Sequence, residues 1–427
     1  MTAVVSLGAL VTLLLAGVPI AFALIAVGIL GLYMIGGTSL VMGILDTTPL
    51  SSVVSYELIT IPMFVLMAQF IVMAGIADDL FSAATVWTGR VRGGLAVSAA
   101  IVGSLFGAVC GSSAAAAATL SATTIPAMDK HGYEPAFSSG VVAISGTLAM
   151  IIPPSVLVLI YAIIAEASIG KLLVATILPA MLIAATIVLT IFVLLWLDPS
   201  KAPKGKPATW KEKFSHLGVA GPMVGLIFCV MGMIYLGVAT PTEASGLGAA
   251  GALLVAVLYR RMTWKMFGLA LVQAANTSVM ILVIIMASKI FGYFVTMTQI
   301  TQHLVGFVGT LDVAPWVVLV LVIGIYLVLG ALMDSLAIII LTVPIILPLM
   351  TSLGYDPIFL GVILIVVVEI GLVTPPFGLI SFIVSKTAGR PLMQVFAGIW
   401  PHVIAHLLAI ALMCVFPQII LWLPSQM

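Results

Sequence analysis

Two short stretches of small and polar residues interrupt long apolar segments of this chain, and the two stretches resemble each other. The first, residues 107–119, carries Ser112-Ser113 between apolar arms. The second, residues 330–337, opens in the same way and carries Asp334-Ser335 at the matching place. Irregular backbone at membrane depth is tolerated only where it is buried in protein or lines a cavity. The two stretches therefore predict a site inside a membrane protein.

The resemblance continues downstream of both stretches with the same spacing. Gly132 opens the sequence Gly-Tyr-Glu-Pro-Ala-Phe, and Gly354 opens Gly-Tyr-Asp-Pro-Ile-Phe. Twenty-one residues after each glycine comes a proline pair, Pro153-Pro154 in the first copy and Pro375-Pro376 in the second. Chance similarity between apolar segments explains one landmark more easily than three in order. Paired helix-breaking segments indicate a transporter with internal repeats.

The composition indicates a protein that folds within a membrane. Hydrophobic residues make up 63% of the 427 residues and charged residues 7%, whereas a soluble domain carries roughly 25% charge. Apolar runs long enough to cross a bilayer recur from end to end. We expect an all-α polytopic membrane protein without a soluble domain. The net charge of +1 gives no reason to expect a nucleic-acid partner. No phosphate loop or Ser-elbow motif indicates an enzyme.

The repeat divides the chain into two halves of inverted topology, residues 1–197 and 216–427, joined by a basic linker at 198–215. The linker lysines are Lys201, Lys204, Lys206, Lys211 and Lys213. In each half we expect scaffold helices, an amphipathic arm, a hairpin and a proline-broken helix. These elements are arm 77–93, hairpin 94–128 and broken helix 137–164, then arm 296–314, hairpin 315–350 and broken helix 357–385. Residues 37–57 are expected to form a polar connection.

The positive-inside rule places the linker in the cytoplasm. Counting back from it, both ends of segment 94–128 are cytoplasmic, so this segment enters the membrane and returns. By the same count, segment 315–350 enters and returns from the outside. Two hairpins that point at each other from opposite faces are expected for alternating access. Pairing Pro19 with Pro241 further implies an external N-terminus and ten full crossings.

Three ionisable residues lie within apolar segments, namely Lys289, Asp334 and Glu369. Each costs at least ~2.5 kcal/mol at the bilayer centre unless it is compensated, so each is a functional candidate. Asp334 at a hairpin tip is either an oxygen ligand for a cation or the partner of Lys289 in a structural ion pair. For Lys289 and Glu369 the same two interpretations stay open, a functional role or a structural ion pair, because buried pairs that only fix packing are common.

Hydroxyl and carbonyl oxygens near the breaks suit an alkali cation. Proline pairs remove backbone donors and free the carbonyls of the preceding turn. The alternatives are a plain proline kink and, for Ser112-Ser113, bonds to the hairpin's own backbone. His402 and His406 have the spacing of metal ligands but lack a third ligand, so we expect no transition metal.

Six motifs resemble the large membrane subunit of tripartite ATP-independent periplasmic (TRAP) transporters, over essentially the whole chain. They are Gly-Val-Pro-Ile-Ala-Phe (17–22), Ile-Pro-Met-Phe-Val-Leu-Met-Ala (61–68), Phe-Gly-Ala-Val-Cys-Gly-Ser-Ser (106–113), Ile-Ile-Pro-Pro-Ser (151–155), Ala-Thr-Pro-Thr-Glu-Ala (239–244) and Glu-Ile-Gly-Leu-Val-Thr-Pro-Pro (369–376). The resemblance implies an elevator-type importer in the bacterial or archaeal inner membrane. It would couple sodium to the import of a C4-dicarboxylate, sialate or related carboxylate.

The resemblance also implies partners and a site. The partners are a separate small four-helix membrane subunit and a periplasmic substrate-binding protein, with Na⁺ as coupling ion and no other cofactor. The implied sodium-site residues are Gly111, Ser112, Ser113, Thr147, Pro153, Ser155, Asp334, Ser335, Thr374 and Pro375. The implied substrate-site residues are Ser112, Ser113, Ser155, Asp334 and Lys289. Cys110 and Ala116 depart from the pattern of many members, which argues against a carboxylate in the first hairpin and against sialate. From another class, a membrane-embedded scaffold or enzyme without transport is the alternative.

Overall fold

The computed structural model describes residues 2–203, 205, 209–310 and 313–427, and within these ranges it contains helices and no strands. Eight helical segments among them are long and apolar enough to cross a membrane. The helices of the first half are α1 Thr2–Leu15, α2 Ile20–Ser51, α3 Thr60–Met73, α4 Ile76–Thr88, α5 Gly94–Cys110, α6 Ser113–Lys130, α7 Pro135–Thr147, α8 Val156–Ile164, α9 Ile169–Ala175 and α10 Ile177–Leu197.

The second half begins after the linker. Its helices are α11 Trp210–Tyr235, α12 Pro241–Leu258, α13 Trp264–Met297, α14 Ile300–Thr310, α15 Pro315–Leu332, α16 Ser335–Ser352, α17 Pro357–Gly371, α18 Leu379–Ala388, α19 Leu392–Val415 and α20 Gln418–Leu421. Helix α4 overlaps most of the expected first arm, and α14 falls within the second. Lys204, Lys206 and positions 311–312 lie outside the described residues.

The expectation of a polar connection at residues 37–57 is wrong for most of that range. Helix α2 continues to Ser51, with one non-helical residue inside it, Gly37 at φ 66°. The physical reason is twofold. Residues 38–50 carry a single charged group, Asp46, among mostly apolar residues. A helix suits such a segment because it pairs the backbone polar groups internally. Glycine adopts positive φ at little cost, so the chain kinks at Gly37 and resumes the helix directly after it.

Both predicted hairpins reverse at short turns. Between α5 and α6 the turn is Gly111-Ser112, where Gly111 has φ 61° and Ser112 is extended. Between α15 and α16 the turn is Met333-Asp334, with both residues extended. Ser112 and Asp334 occupy the same structural position, because each is the N-cap of the helix that returns from the turn.

Both proline pairs interrupt a helix. After α7 a single 3₁₀ turn, Leu148–Met150, precedes the gap before α8. After α17 the gap ends at Gly378, the left-handed N-cap of α18. The Pro153-Pro154 and Pro375-Pro376 bonds are both cis. A proline ring fixes φ and removes the backbone donor, so neither pair can continue the helix that precedes it.

The halves are interlocked around these breaks. The returning arm of the first hairpin, α6, packs on α18, and the returning arm of the second, α16, packs on α8. The hydroxyl of Tyr161 on α8 donates to the Pro357 carbonyl at 2.7 Å. A Cβ at Gly361 of α17 would lie 2.2 Å from the Tyr161 ring. Each half-helix that follows a break is therefore held against an element of the opposite half.

A second group of helices packs among itself. Helix α13 packs on α2 and α3, and α3 packs on α12. The hydroxyls of Thr60 on α3 and Thr242 on α12 are joined at 2.9 Å. Arg261, between α12 and α13, forms an ion pair with Asp79 on α4. The two groups also touch, because α13 contacts α16 and α3 contacts α5.

Candidate functional site

The first hairpin tip lies against the first break. A Cβ at Gly111 would be 3.0 Å from the Val156 side chain and 3.6 Å from its backbone nitrogen, and Val156 directly follows Ser155. Ser113 is 2% exposed. The Ser112 hydroxyl accepts the Ala115 N–H at 3.4 Å, so the within-hairpin bond considered as an alternative is present. That bond uses one lone pair of the hydroxyl oxygen and leaves another available to a ligand.

The Thr147 and Ser155 hydroxyls of the first break are buried and donate to nearby carbonyls of the same chain segment. Thr147 donates to the Ile144 carbonyl at 2.8 Å, and Ser155 donates to the Met150 carbonyl. Both residues are fully buried, and Pro153 is buried beside them. Because each hydroxyl proton is already engaged, the remaining lone pairs of both oxygens are free to accept, as a hard cation requires.

The second tip and second break are held together by glycine packing. A Cβ at Gly330 of α15 would lie 2.7 Å from the Cα of Gly371 of α17. Asp334 follows Gly330 by four residues and Thr374 follows Gly371 by three. The Asp334 carboxylate accepts the Leu336 N–H at 3.0 Å, and the Thr374 hydroxyl donates to the Gly371 carbonyl at 2.9 Å.

The two predicted sites differ in exposure. Pro153 and Ser155 of the first break are buried, whereas Asp334 and Pro375 of the second are exposed and Thr374 is half-buried. Ser335 is the exception in the second site, at 1% exposed. The second site therefore lies at the surface of this chain, and the first lies within it.

Lys289 does not lie at either tip. It is exposed on α13 and, within the described part of the chain, forms no ion pair with Asp334. It lines two neighbouring cavities of about 680 and 460 Å³, and Glu166 lines both of them as well. The α16 residues of the smaller cavity are Val343, Pro344, Leu347 and Pro348. These residues lie more than two helical turns beyond Asp334. The structure therefore does not contain the ion pair between Lys289 and Asp334.

Helix ends converge on the turns and breaks. Helices α5, α7, α15 and α17 end there, and α6, α8, α16 and α18 begin there. Free carbonyls at helix C-termini favour cations, and free N–H groups at N-termini favour anions. The arrangement thus offers both signs of partial charge, together with a few hydroxyls and the Asp334 carboxylate.

Comparison with known proteins identifies the family. Residues 7–419 match the family model described as "Tripartite ATP-independent periplasmic transporter, DctM component". The chain belongs to this family. The chain is 34% identical to a C4-dicarboxylate TRAP transporter large permease protein of Pseudomonas aeruginosa, over 87% of this chain and 86% of the relative. This large permease subunit is thus a multi-pass protein of the bacterial inner membrane, and its relatives are permeases rather than enzymes.

Further relatives and one solved structure agree with this assignment. An ectoine TRAP large permease of Halomonas elongata is 31% identical over 97% of both chains. A sialic acid TRAP large permease of Vibrio cholerae is 31% identical over 97% of this chain and 96% of its own. The Alcanivorax borkumensis YdaH transporter structure matches with a TM-score of 0.62 at 14% identity, covering 87% of each chain. At that identity the likeness concerns the fold.

Arg390 of this TRAP permease joins the halves at one end of the molecule. Its guanidinium donates to the Pro135 carbonyl at 2.6 Å and to the hydroxyls of Ser138 at 2.8 Å and Ser139 at 2.6 Å, and it pairs with Asp129. These partners are about 250 positions away in the sequence. No periodicity or motif could have indicated them.

Glu369 was a candidate without a partner, and the structure places it at the first break. It lies on α17 and is fully buried. Its carboxylate faces the backbone of Met150 and Ile151, but neither oxygen makes a hydrogen bond of acceptable geometry. The acid of one half thus lies beside the interrupted helix of the other. Sequence position alone gave no signal for this contact.

Proposed function

We propose that this TRAP large permease imports a small organic anion with sodium as the coupling ion, by an elevator movement. The observation that carries the proposal is the contact of the first hairpin tip with the first broken helix, Gly111 against Val156. It brings the turn that carries Ser112 next to Val156, the residue that follows Ser155. Hydroxyl and carbonyl oxygens are the ligands expected for a hard monovalent ion when no stronger cation competes for them.

The second half supplies a matching set in this proposal. Asp334 and Thr374 follow the Gly330–Gly371 contact on their two helices. Sodium ions at the two tips would offset the charge of a bound carboxylate, and the N-termini of α6 and α16 would donate N–H groups to it. The proposed sodium sites are completed by Gly111, Ser113, Thr147, Pro153, Ser335 and Pro375. Lys289 remains a proposed substrate residue, at the two cavities that it lines.

The moving body in this proposal is the interlocked group α5–α8 with α15–α18. Its half-helices cross-pack between halves, which supports movement as one unit. The group α2, α3, α12 and α13 would be the static scaffold, with α4 and α14 as arms. Inverted topology of the two halves would let the same body face either side of the membrane.

The substrate class and partners rest on the family. Relatives are named for C4-dicarboxylates, ectoine and sialic acid, and a carboxylate is common to these compounds. The proposed sites contain no cation except Lys289, so the chain by itself would hold such an anion weakly. We propose that a periplasmic binding protein supplies selectivity and that a small membrane subunit completes the permease.

Uptake in proteoliposomes tests the proposal. Vesicles containing the large and small subunits, with the binding protein outside, should accumulate labelled carboxylate only under an inward sodium gradient. A matched potassium gradient is the control. Uptake that ignores the sodium gradient would contradict coupling, and absence of any uptake would favour the scaffold alternative. Specific uptake at low micromolar substrate without the binding protein would contradict its assigned role.

A further inference from the structure

Glu369 is a fully buried acid in the interior of this protein. It is 0% exposed, and among the described residues neither carboxylate oxygen makes a hydrogen bond of acceptable geometry. Within the described part of the chain it forms no ion pair. An uncompensated carboxylate in an apolar interior is strongly unfavourable, and a carboxyl group there requires a proton or a bound cation. The position therefore calls for a ligand that no described side chain provides.

The surroundings of Glu369 place that ligand at the first break. The carboxylate faces the backbone of Met150 and Ile151, at the end of the 3₁₀ turn that follows α7. Helix α17 packs on α8, α9, α15, α16, α19 and α20. The titratable side chains on those helices are Lys171, Tyr161, Tyr326, His402, His406 and Cys414. None of these side chains is hydrogen-bonded to Glu369, so within the described part of the chain only the Met150 and Ile151 backbone faces its carboxylate.

The corresponding position in the first half sharpens the contrast. Thr147 precedes Pro153 by six residues, and Glu369 precedes Pro375 by six. The Thr147 hydroxyl is satisfied by the Ile144 carbonyl at 2.8 Å. A neutral and partnered group thus stands at this position in one half, and an unpartnered acid stands in the other. Packing alone does not require the acid, because a threonine fills the equivalent position.

We propose that the Glu369 carboxylate is an exchangeable monovalent-cation site, holding a proton or a sodium ion, at the crossing of the two broken helices. This inference rests on the proposed function, since exchange there would link cation loading to the arrangement of both breaks. Glu369 is not among the residues proposed above as sodium ligands, but it adjoins the first of those sites at Met150, whose carbonyl accepts the Ser155 hydroxyl. A carboxylate with one cation is neutral as a pair, which lowers the cost of burial.

Cation exchange can be measured on the purified complex of large and small subunits without substrate. Two readouts are taken on addition of sodium chloride: protons released to a pH indicator, and ²²Na⁺ bound per complex. If the site holds a proton, sodium should release about one proton per chain in the wild type and none in Glu369→Gln. If it holds sodium, bound ²²Na⁺ should fall by about one per chain in Glu369→Gln, without proton release.

Glu243→Gln is the matched control. Glu243 is also an acid of a membrane helix, but it accepts the Thr240 N–H and hydroxyl at 2.9 Å each as part of a capping box. This variant should behave like the wild type in both readouts. If Glu369→Gln and the wild type agree in proton release and in bound sodium, the proposal is overturned.

A second measurement covers the case in which Glu369→Gln does not assemble. Infrared difference spectra with and without sodium report carboxyl groups directly, and Asp334→Asn removes the contribution of the acid proposed above as a sodium ligand. A carboxyl band that changes with sodium in the Asp334→Asn background supports the site, and an unchanged carboxyl region overturns it.

The inference and the proposed function can fail separately. Sodium-driven uptake with no cation effect at Glu369 would remove the site and leave the coupling. Cation exchange at Glu369 with uptake that ignores sodium would leave the site and remove the coupling.

Discussion

Gly330 of α15 and Gly371 of α17 pack backbone against backbone, and a Cβ on Gly330 would lie 2.7 Å from the Gly371 Cα. No side chain intervenes that could move aside. Gly107 of α5 lies against Ala149 in a similar way, with its Cβ position 2.6 Å from the Ala149 Cα. A glycine on the first arm of each hairpin, α5 or α15, thus sets how closely the tip approaches the broken helix.

We expect Gly330→Ala to separate the second tip from the second break. Overpacking of this kind costs about 1–3 kcal/mol. The melting temperature in detergent should fall, and uptake should be reduced by more than tenfold. Gly324→Ala on the same helix is the control, since a Cβ there has no atom within 4 Å. Equal uptake by the two variants would show that close approach at Gly330 is not required.

Substitution of the two tip N-caps should affect sodium dependence more than folding. Removing the Ser112 hydroxyl costs about 1 kcal/mol of helix capping, while Asp334→Asn retains an acceptor for Leu336. For both variants we expect the sodium concentration for half-maximal uptake to rise several-fold, because a ligand or its charge is lost.

Thr263→Ala controls for the loss of capping alone. Thr263 caps α13 by accepting the Met266 N–H at 3.2 Å, and it belongs to neither tip. It should destabilise the protein as much as Ser112→Ala and leave the sodium dependence unchanged. If a tip variant transports with the sodium dependence of the wild type, that residue is structural only.

Arg390 should be irreplaceable by lysine. Its side chain is 10% exposed and contacts a carboxylate, a carbonyl and two hydroxyls, and a single ammonium group cannot reproduce this planar set of donors. Charge-assisted hydrogen bonds contribute about 1.5–3 kcal/mol each. Thermal melts of Arg390→Lys and Arg390→Gln should both shift downward by several degrees. The exposed Lys386→Gln on α18 should melt like the wild type, and a wild-type melt for Arg390→Lys would contradict the geometry.

A cysteine at His131 should react only with reagent applied from the cytoplasmic side. His131 follows α6, and the neighbouring Asp129 and Glu134 pair with Arg390 and with Lys201 of the basic linker. These loops therefore share one end of the molecule, and the positive-inside rule makes that end cytoplasmic. Leu236→Cys, at a position 72% exposed between α11 and α12, should react only from outside. The variants require a background without Cys110, Cys229 and Cys414, and external labelling at position 131 would show that segment 94–128 crosses.

The sequence by itself determined the class of protein, the order of its elements and the places where helices break. Apolar length, proline pairs and glycine-serine turns are local properties of the chain, and local geometry decides them. The turns at Ser112 and Asp334 and the gaps at Pro153 and Pro375 could therefore be located without coordinates. Residues 37–57 were misjudged, because a few polar residues were taken to end a helix that Gly37 only redirects.

Only the tertiary structure decided which distant residues meet. Lys289 could equally have paired with Asp334, and nothing in the sequence excluded this until α13 placed it on a cavity beside Glu166. The Arg390 cluster and the burial of Glu369 beside the first break depend on contacts between halves separated by more than 200 residues. Such contacts follow from the packing of whole helices, and a linear pattern carries no information on which faces those helices present to each other.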